Sequence, residues 1–140
     1  MGINKFNGEG YADPTAYEAL TLIEQAEKAS AFRPVVYICS PYSGDVDVNI
    51  NNARRYCRFA VDRGCIPLAP HLLFPQFMND DIEAERSLAM FMNTVLLGKC
   101  AELWVFGSRI SKGMQAEIFQ AKRKNKCIRY FNDECEEVLE

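Results

Sequence analysis

The sequence predicts a doubly wound α/β fold, with a parallel sheet covered by helices on both faces. Short continuous apolar segments are typical of buried strands, and segments with apolar residues at helical spacing separate them. The 140 residues allow about one domain, and 49% hydrophobic with 25% charged residues is an ordinary globular composition. Disordered, collagen-like and coiled-coil chains are therefore excluded.

The first predicted element is a helix over residues 14–30, preceded by an irregular arm. Asp13 is expected to cap this helix, and Pro14 occupies its first position, which together form a strong start signal. Apolar residues then recur at helical spacing. We expect residues 1–33 to form the arm and helix, and residues 34–140 to form the α/β domain.

The domain is expected to begin with a buried parallel strand over residues 35–39, which are apolar throughout. A loop over 40–44 follows, and the next apolar face predicts a helix over about 48–63. Residues 65–69 are predicted to form the second strand. Its proline, Pro67, removes a backbone donor and favours a position at the edge of the sheet.

An apolar loop is expected over residues 70–75, and a long helix over about 80–99. The acidic start of this helix suits the positive end of the helix dipole. Its core face is predicted to consist of Leu88, Met92, Val95 and Leu96. The third strand is predicted over residues 101–106.

The remaining predicted elements are a helix over about 113–124 and a fourth strand over 127–131. The tail is acidic, and a short helix at its end is one possible structure for it. About four strands in the order 2-1-3-4, the core of a flavodoxin-like sheet, fit these lengths. The extra N-terminal helix lies outside that core. This order predicts a ligand crevice between the loops at 40–44 and 107–113, beyond the ends of strands one and three.

Charge and cysteine usage limit the partners. Sixteen basic against nineteen acidic side chains give a net charge of −3, which gives no electrostatic case for a nucleic-acid polymer. Apolar stretches are far shorter than the ~20 residues that span a bilayer, and the first residues lack a signal-peptide core. We therefore expect a soluble, cytoplasmic protein. The six cysteines form no C-x-x-C pair, so we expect free thiols and no metal, and we expect no cofactor.

The loop after the first strand combines hydroxyls with small residues. Backbone N–H groups in such a loop could approach an anion at the start of the next helix. The motifs of Walker loops and dinucleotide-binding folds are absent from it. Its candidate binding residues are Ser40, Tyr42, Ser43 and Gly44. A tight turn without a ligand is the alternative interpretation.

Glu117 is the candidate reactive carboxylate. It lies one turn inside the helix that starts near Gly113, where the dipole stabilises the anionic form. Such a carboxylate could act as a base or attack a sugar carbon as positive charge develops there. By position alone, a solvated glutamate that supports the helix dipole is the simpler interpretation.

The order of these features resembles the nucleoside 2-deoxyribosyltransferase superfamily, including its deoxynucleoside 5'-monophosphate N-glycosidase branch, over about residues 34–131. The resemblance implies a flavodoxin-like fold and an enzyme that cleaves or exchanges the bond between nucleobase and deoxyribose. It also implies that Tyr37 matches the family's first-strand tyrosine and that Glu117 matches its nucleophile. Ser111, six residues before that glutamate, matches a serine that contacts the phosphate, and Gly113 belongs to the same loop.

One family residue has no counterpart. An aspartate that helps to handle the leaving base would fall at Thr94, with Asn93 adjacent. Asn93 could hydrogen-bond a base but could not donate a proton as a general acid. Glu83 or Glu85, nearer the start of the same helix, could substitute.

The single histidine, His71, follows the second strand between Pro70 and Leu72. We expect it to contact the edge of a base, because its neighbours would form an apolar slot. A structural partner for this histidine is the alternative. Two functions therefore stay open: an enzyme that acts on a nucleoside or nucleotide, and a protein that binds a nucleotide without cleaving it. An interaction module is a weaker third reading, and the resemblance implies a homo-oligomer.

Overall fold

A computed structural model describes residues 14–29 and 32–139. The chain divides into two compact units, residues 1–33 and 34–140. In the first unit, helix α1 spans Pro14–Ala29, within one residue of the predicted end. The predicted cap, Asp13, lies outside the described residues. That each unit works as a domain of its own stays a prediction.

The second unit alternates strands and helices around one sheet. Its elements are β1 (Val35–Cys39), α2 (Val46–Asp62), β2 (Ile66–Leu68), α3 (Pro70–Leu73), a 3₁₀ turn (Phe74–Gln76), α4 (Glu83–Gly98), β3 (Glu102–Phe106), α5 (Lys112–Arg123), β4 (Cys127–Phe131) and β5 (Glu137–Val138). The strand order is β2-β1-β3-β4-β5. The first four strands run parallel, and β5 pairs antiparallel with β4. The predicted flavodoxin-like fold is confirmed, with β2 at an edge.

Strand β1 lies between β2 and β3 and separates two layers of core. Alternate side chains of a strand point to opposite faces. Tyr37 and Cys39 therefore share one face, where they pack in a cluster with Met114 of α5. Val36 and Ile38 share the other face, where aromatic residues of α2, β3 and β4 cover them. The first of these faces positions the candidate site.

Two predicted segments fold differently. Residues 70–75 form α3 and the 3₁₀ turn rather than a loop, because Pro70 stands at the first helical position, where its missing N–H costs nothing. The tail ends in β5 rather than a helix. Asn132 accepts hydrogen bonds from the N–H groups of Glu134 and Glu136, and Cys135 adopts a positive φ of 62°. This turn folds the tail back onto β4.

The predicted core face of α4 is right only in part, because Leu96 packs against the core cluster but two of the other predicted residues are exposed. The fully buried residue of this helix is Leu97, whereas Leu88 and Val95 are 51% and 43% exposed. The helix carries apolar residues on most of its circumference, so their spacing does not single out the inward face. It also begins at Glu83, which leaves Asp80 in the preceding turn.

All six cysteines are free thiols, as expected. Cys39 and Cys100 are buried, whereas Cys127 is exposed. Within residues 14–29 and 32–139, no helix is long and apolar enough to cross a membrane.

Candidate active site

A cavity of about 680 Å³ opens beside the carboxyl end of β1. Its walls come from the loop after β1, from α3 and the turn behind it, from α4, and from the first two turns of α5. The structure brings eight predicted site residues to this cavity: Ser40, Tyr42, Ser43, His71, Asn93, Ser111, Gly113 and Glu117. Residues far apart in the sequence therefore share one space of about the size that ligand sites have.

Two other predicted residues lie elsewhere. Gly44, at a φ of +100°, lines a second cavity of about 240 Å³ that shares Ser40 and Ser43 with the first. Tyr37 is fully buried behind the cavity wall. The side chain of Asn49 donates to the carbonyls of Tyr42 and Ser43 at 3.0 and 2.9 Å, which fixes the loop between the two cavities to α2.

Glu117 lies where α5 passes over the face of β1. Ser111 caps this helix by accepting the N–H of Met114 at 3.2 Å, and Met114 is buried against the sheet. Glu117 comes three residues later, so the helical repeat carries it to the same face. Its carboxyl contacts β1 on one side, where Cys39 Sγ lies 3.5 Å from Oε1, and faces the cavity on the other.

Burial raises the pKa of Glu117 to about 7, although the nearby Tyr37 and Cys39 donors lower it in part. Burial raises this pKa because removing a carboxylate from water favours the neutral acid. Near pH 7 both the acid and the carboxylate are therefore populated. This carboxyl can take part in proton transfer or nucleophilic attack. It is not the solvated glutamate that its position in the helix had favoured.

The hydroxyl of Tyr37 faces this carboxyl from inside the core. It has no partner with full hydrogen-bond geometry among the described residues. Burial, and then the charge of Glu117, hold the pKa of Tyr37 far above its usual range, so the phenol stays protonated. A neutral O–H aimed at a carboxyl favours the carboxylate form even at a longer distance.

His71 and Ser40 form a hydrogen-bonded pair in the cavity wall. Ser40 Oγ lies 2.9 Å from His71 Nε2, and Ser40 is only 6% exposed. Burial lowers the pKa of His71 to about 4, so the imidazole is neutral at pH 7. The histidine thus has both features considered from the sequence, a structural partner and a place at the cavity.

Asn93 presents an unsatisfied acceptor beside the cavity. Its Oδ1 is buried and has no hydrogen-bond partner among the described residues. The neighbouring hydroxyl of Thr94 donates instead to the carbonyl of Met90 at 3.0 Å. Buried acceptors are nearly always paired, so a bound ligand with an N–H or O–H group would supply the partner that this oxygen lacks.

Charged residues that were not among the predicted site residues also line the cavity. Asp80, Arg86 and Lys112 line it, together with Glu85, which had been considered as a substitute acid. Asp80 had been assigned to α4, and the acidic cluster before an apolar helix was the signal that could have found it. Glu83, the other substitute, is not among the lining residues. The described residues contain no group of three or more His, Cys, Asp or Glu side chains that could hold a metal ion.

Comparison with known proteins agrees with this fold. The family model described as a domain of unknown function (DUF7768) matches residues 34–131, and the chain belongs to that family. A search of curated proteins returns no match. Matching solved structures include the 2-deoxyribosyltransferase from the psychrotolerant bacterium Bacillus psychrosaccharolyticus, with a TM-score of 0.56 and 14% identity, covering 76% of this chain and 77% of that one. At this identity, the likeness confirms the resemblance at the level of the fold.

Proposed function

We propose that this protein acts on a nucleoside or its 5'-monophosphate, and cleaves or exchanges the bond between base and sugar with Glu117 as nucleophile. The observation that carries the proposal is the Glu117 carboxyl itself, which faces a cavity of about 680 Å³ and is held from behind by Tyr37. One solved structure with a similar fold is a 2-deoxyribosyltransferase, described as a biocatalyst for nucleoside synthesis. A nucleotide fits within the usual volume of such pockets.

In the proposed reaction, the carboxylate of Glu117 attacks the anomeric carbon as the bond to the base breaks. The bonding electrons leave with the base, which takes up a proton, and a covalent glycosyl–enzyme ester forms. Water or an acceptor base then attacks the same carbon and releases Glu117. The first outcome is hydrolysis, and the second is transfer.

The leaving base needs a proton donor that Asn93 cannot be. Asp80 and Glu85 line the same cavity and carry carboxyl groups. We assign proton delivery to one of these two residues, directly or through a water molecule. Their place at the cavity supports an enzyme although Thr94, with Asn93 adjacent, stands where the family has its aspartate.

The remaining predicted residues bind the substrate in this proposal. His71 and Asn93 contact the base, and the buried acceptor of Asn93 supports this assignment. Ser111 and Gly113 contact the 5' end, as do Ser40, Tyr42 and Ser43 in the loop after β1. The oxygen of Ser111 accepts the N–H of Met114, which leaves its O–H free to donate to a phosphate.

A nucleotide-binding protein without catalysis is the second candidate. The observation that favours it is the amide of Asn93, which offers binding groups but no acid. Both candidates predict a bound nucleoside or nucleotide. They differ in whether the ligand survives.

The test incubates the purified protein with a mixture of nucleosides and nucleoside 5'-monophosphates, and follows free base and bound ligand by chromatography. The enzyme predicts release of free base, lost in Glu117→Gln and kept in the matched control Glu134→Gln, whose side chain lies outside the cavity. The change to Gln removes the nucleophile while preserving shape, so ligand binding should persist. A ligand retained intact by the wild-type protein would identify the binding protein instead.

We also propose that the chain forms a homo-oligomer through the outer face of α4. Leu88, Phe91 and Val95 stand one helical turn apart on this face and are 51%, 64% and 43% exposed. Exposed apolar faces of this kind mark interaction surfaces. Light scattering should give the mass of an oligomer for the wild-type protein and a smaller mass for Phe91→Glu. A wild-type monomer would refute this assembly without touching the proposed chemistry.

A further inference from the structure

The thiol of Cys39 contacts the Glu117 carboxyl. Cys39 is the last residue of β1 and lies two residues after Tyr37, so both side chains point to the face that α5 covers. Its Sγ lies 3.5 Å from Glu117 Oε1 and 3.9 Å from the carbonyl of Met114. The shorter contact lies within the range of a hydrogen bond that involves sulfur.

The thiol acts here as a donor to the carboxylate form of Glu117. Burial, and then the carboxyl of Glu117, raise the pKa of Cys39 far above its usual range, so the S–H proton stays in place. Cys39 is fully buried and is not among the residues that line the cavity. A protonated, buried thiol is a poor nucleophile, which excludes a direct attack on substrate.

We propose that Cys39 is a positioning residue, whose S–H holds one oxygen of Glu117 and so fixes the carboxylate that faces the substrate cavity. This inference deepens the proposed function and rests on it, because it assigns a role in preparing the nucleophile. The strand thereby contributes two donors, the phenol of Tyr37 and the thiol of Cys39, to one carboxyl on α5.

Other groups near the cavity are placed differently. The further titratable or charged residues that line it are Tyr42 from the loop after β1, His71 from α3, Asp80 from the turn before α4, Glu85 and Arg86 from α4, and Lys112 from α5. Within the described residues, the donors that lower the pKa of Glu117 are the side chains of Tyr37 and Cys39. Loss of the thiol should therefore act on Glu117 rather than on the general charge of the cavity.

Substitution of Cys39 by a residue without a donor should raise the pKa of Glu117, because the carboxylate form loses a hydrogen bond while the acid form loses little. Fewer molecules then carry the nucleophile below that pKa. We expect kcat of Cys39→Ala at pH 6 to fall by about tenfold, as for the loss of one hydrogen bond to a charged group. At pH 9 the rates should converge, and KM should stay unchanged.

The experiment follows the carboxyl carbon of Glu117 by NMR through a pH titration, with 13C-labelled glutamate and Glu117→Gln to assign the signal. Cys39→Ala and Cys39→Val remove the donor, and valine keeps volume where alanine would weaken folding. Cys39→Ser keeps a donor. Cys100→Ala is the matched control, because Cys100 is buried in the same cluster but donates to the carbonyl of Leu96 at 3.3 Å.

The expected result is a higher pKa of Glu117 in the alanine and valine variants, and values near wild type in Cys39→Ser and Cys100→Ala. An unchanged titration in both variants without a donor overturns the proposal, as does a serine variant that titrates like alanine. A merely structural role would lower kcat equally at all pH values. If the wild-type protein cleaves no nucleoside, the proposed function fails, while the titration still decides whether Cys39 controls Glu117.

Discussion

The two faces of β1 differ in what they contact: one packs into an apolar core, and the other meets a buried carboxyl. On the α2 side, Val36 and Ile38 pack under a group of stacked and edge-on aromatic rings, and this cluster is almost wholly apolar. On the α5 side, Tyr37 and Cys39 bring a phenol and a thiol to a carboxyl whose pKa is raised to about 7. A single five-residue strand thus supports an ordinary core on one face and the candidate site on the other.

The interactions on one face of β1 stabilise the folded sheet, whereas those on the other face oppose folding. Apolar burial stabilises, whereas a buried hydroxyl without a full hydrogen bond and a desolvated carboxyl destabilise. Groups that reduce stability persist where they have a function. Substitutions on the two faces should therefore have opposite signs.

The largest effect is expected on the apolar face. Phe131 is 1% exposed, with ring centroids 4.9 Å from Phe106 and 5.1 Å from Trp104. Phe131→Ala should reduce the free energy of unfolding by about 3–5 kcal/mol, because the cavity it leaves cannot fully close. Urea denaturation measures the loss. The control Phe119→Ala removes a ring that is 59% exposed and should change stability by less than about 0.5 kcal/mol.

The second effect has the opposite sign and depends on pH. The folded-state pKa of Glu117, about 7, lies above its ordinary value of 4.5, so its contribution to stability is fully present below pH 4.5 and is lost as the pH rises through 7. Glu117→Gln removes this loss. The variant should be more stable than the wild-type protein at pH 8, by up to about 3 kcal/mol, with the excess shrinking toward pH 4.

Urea denaturation at several pH values measures that difference. His71, whose pKa is lowered by burial, titrates in both proteins and cancels in the comparison. Glu134→Gln should show no such pH dependence. A constant difference between Glu117→Gln and the wild-type protein would mean that this carboxyl is not desolvated, and would weaken the contrast between the two faces.

The strands were predictable from local sequence, whereas the contacts on the α5 side of β1 were predictable only in part. Residues 35–39 and 127–131 are strands as predicted, because short apolar segments with turn residues around them have few other uses. Glu117 was identified by its position in a helix. Its contact with Cys39 was not, because it depends on how α5 crosses the end of β1.

Helix α4 shows the same limit. Its apolar residues cover most of its surface, so periodicity could not distinguish the buried Leu97 from the exposed Leu88. The carboxyl groups of Asp80 and Glu85 reach the cavity through the path of the chain between α3 and α4. Such placements follow from tertiary packing, which a local pattern of acidic residues does not determine.

The smallest effect compares two tyrosines on opposite faces of the sheet. Tyr37 and Tyr56 are 0% and 2% exposed, but the Tyr56 hydroxyl donates to Asp133 at 3.4 Å, whereas that of Tyr37 has no full hydrogen bond among the described residues. At pH 5, where Glu117 is mostly uncharged, Tyr37→Phe should leave stability unchanged or raise it by about 1 kcal/mol, since a poorly paired buried hydroxyl is removed. Tyr56→Phe should lower stability by about 0.5–1.5 kcal/mol, because it loses a made hydrogen bond. Urea midpoints decide between them: equal losses would show that the hydroxyl of Tyr37 is as well bonded as that of Tyr56, and the α5 side would then be no more strained than the aromatic side.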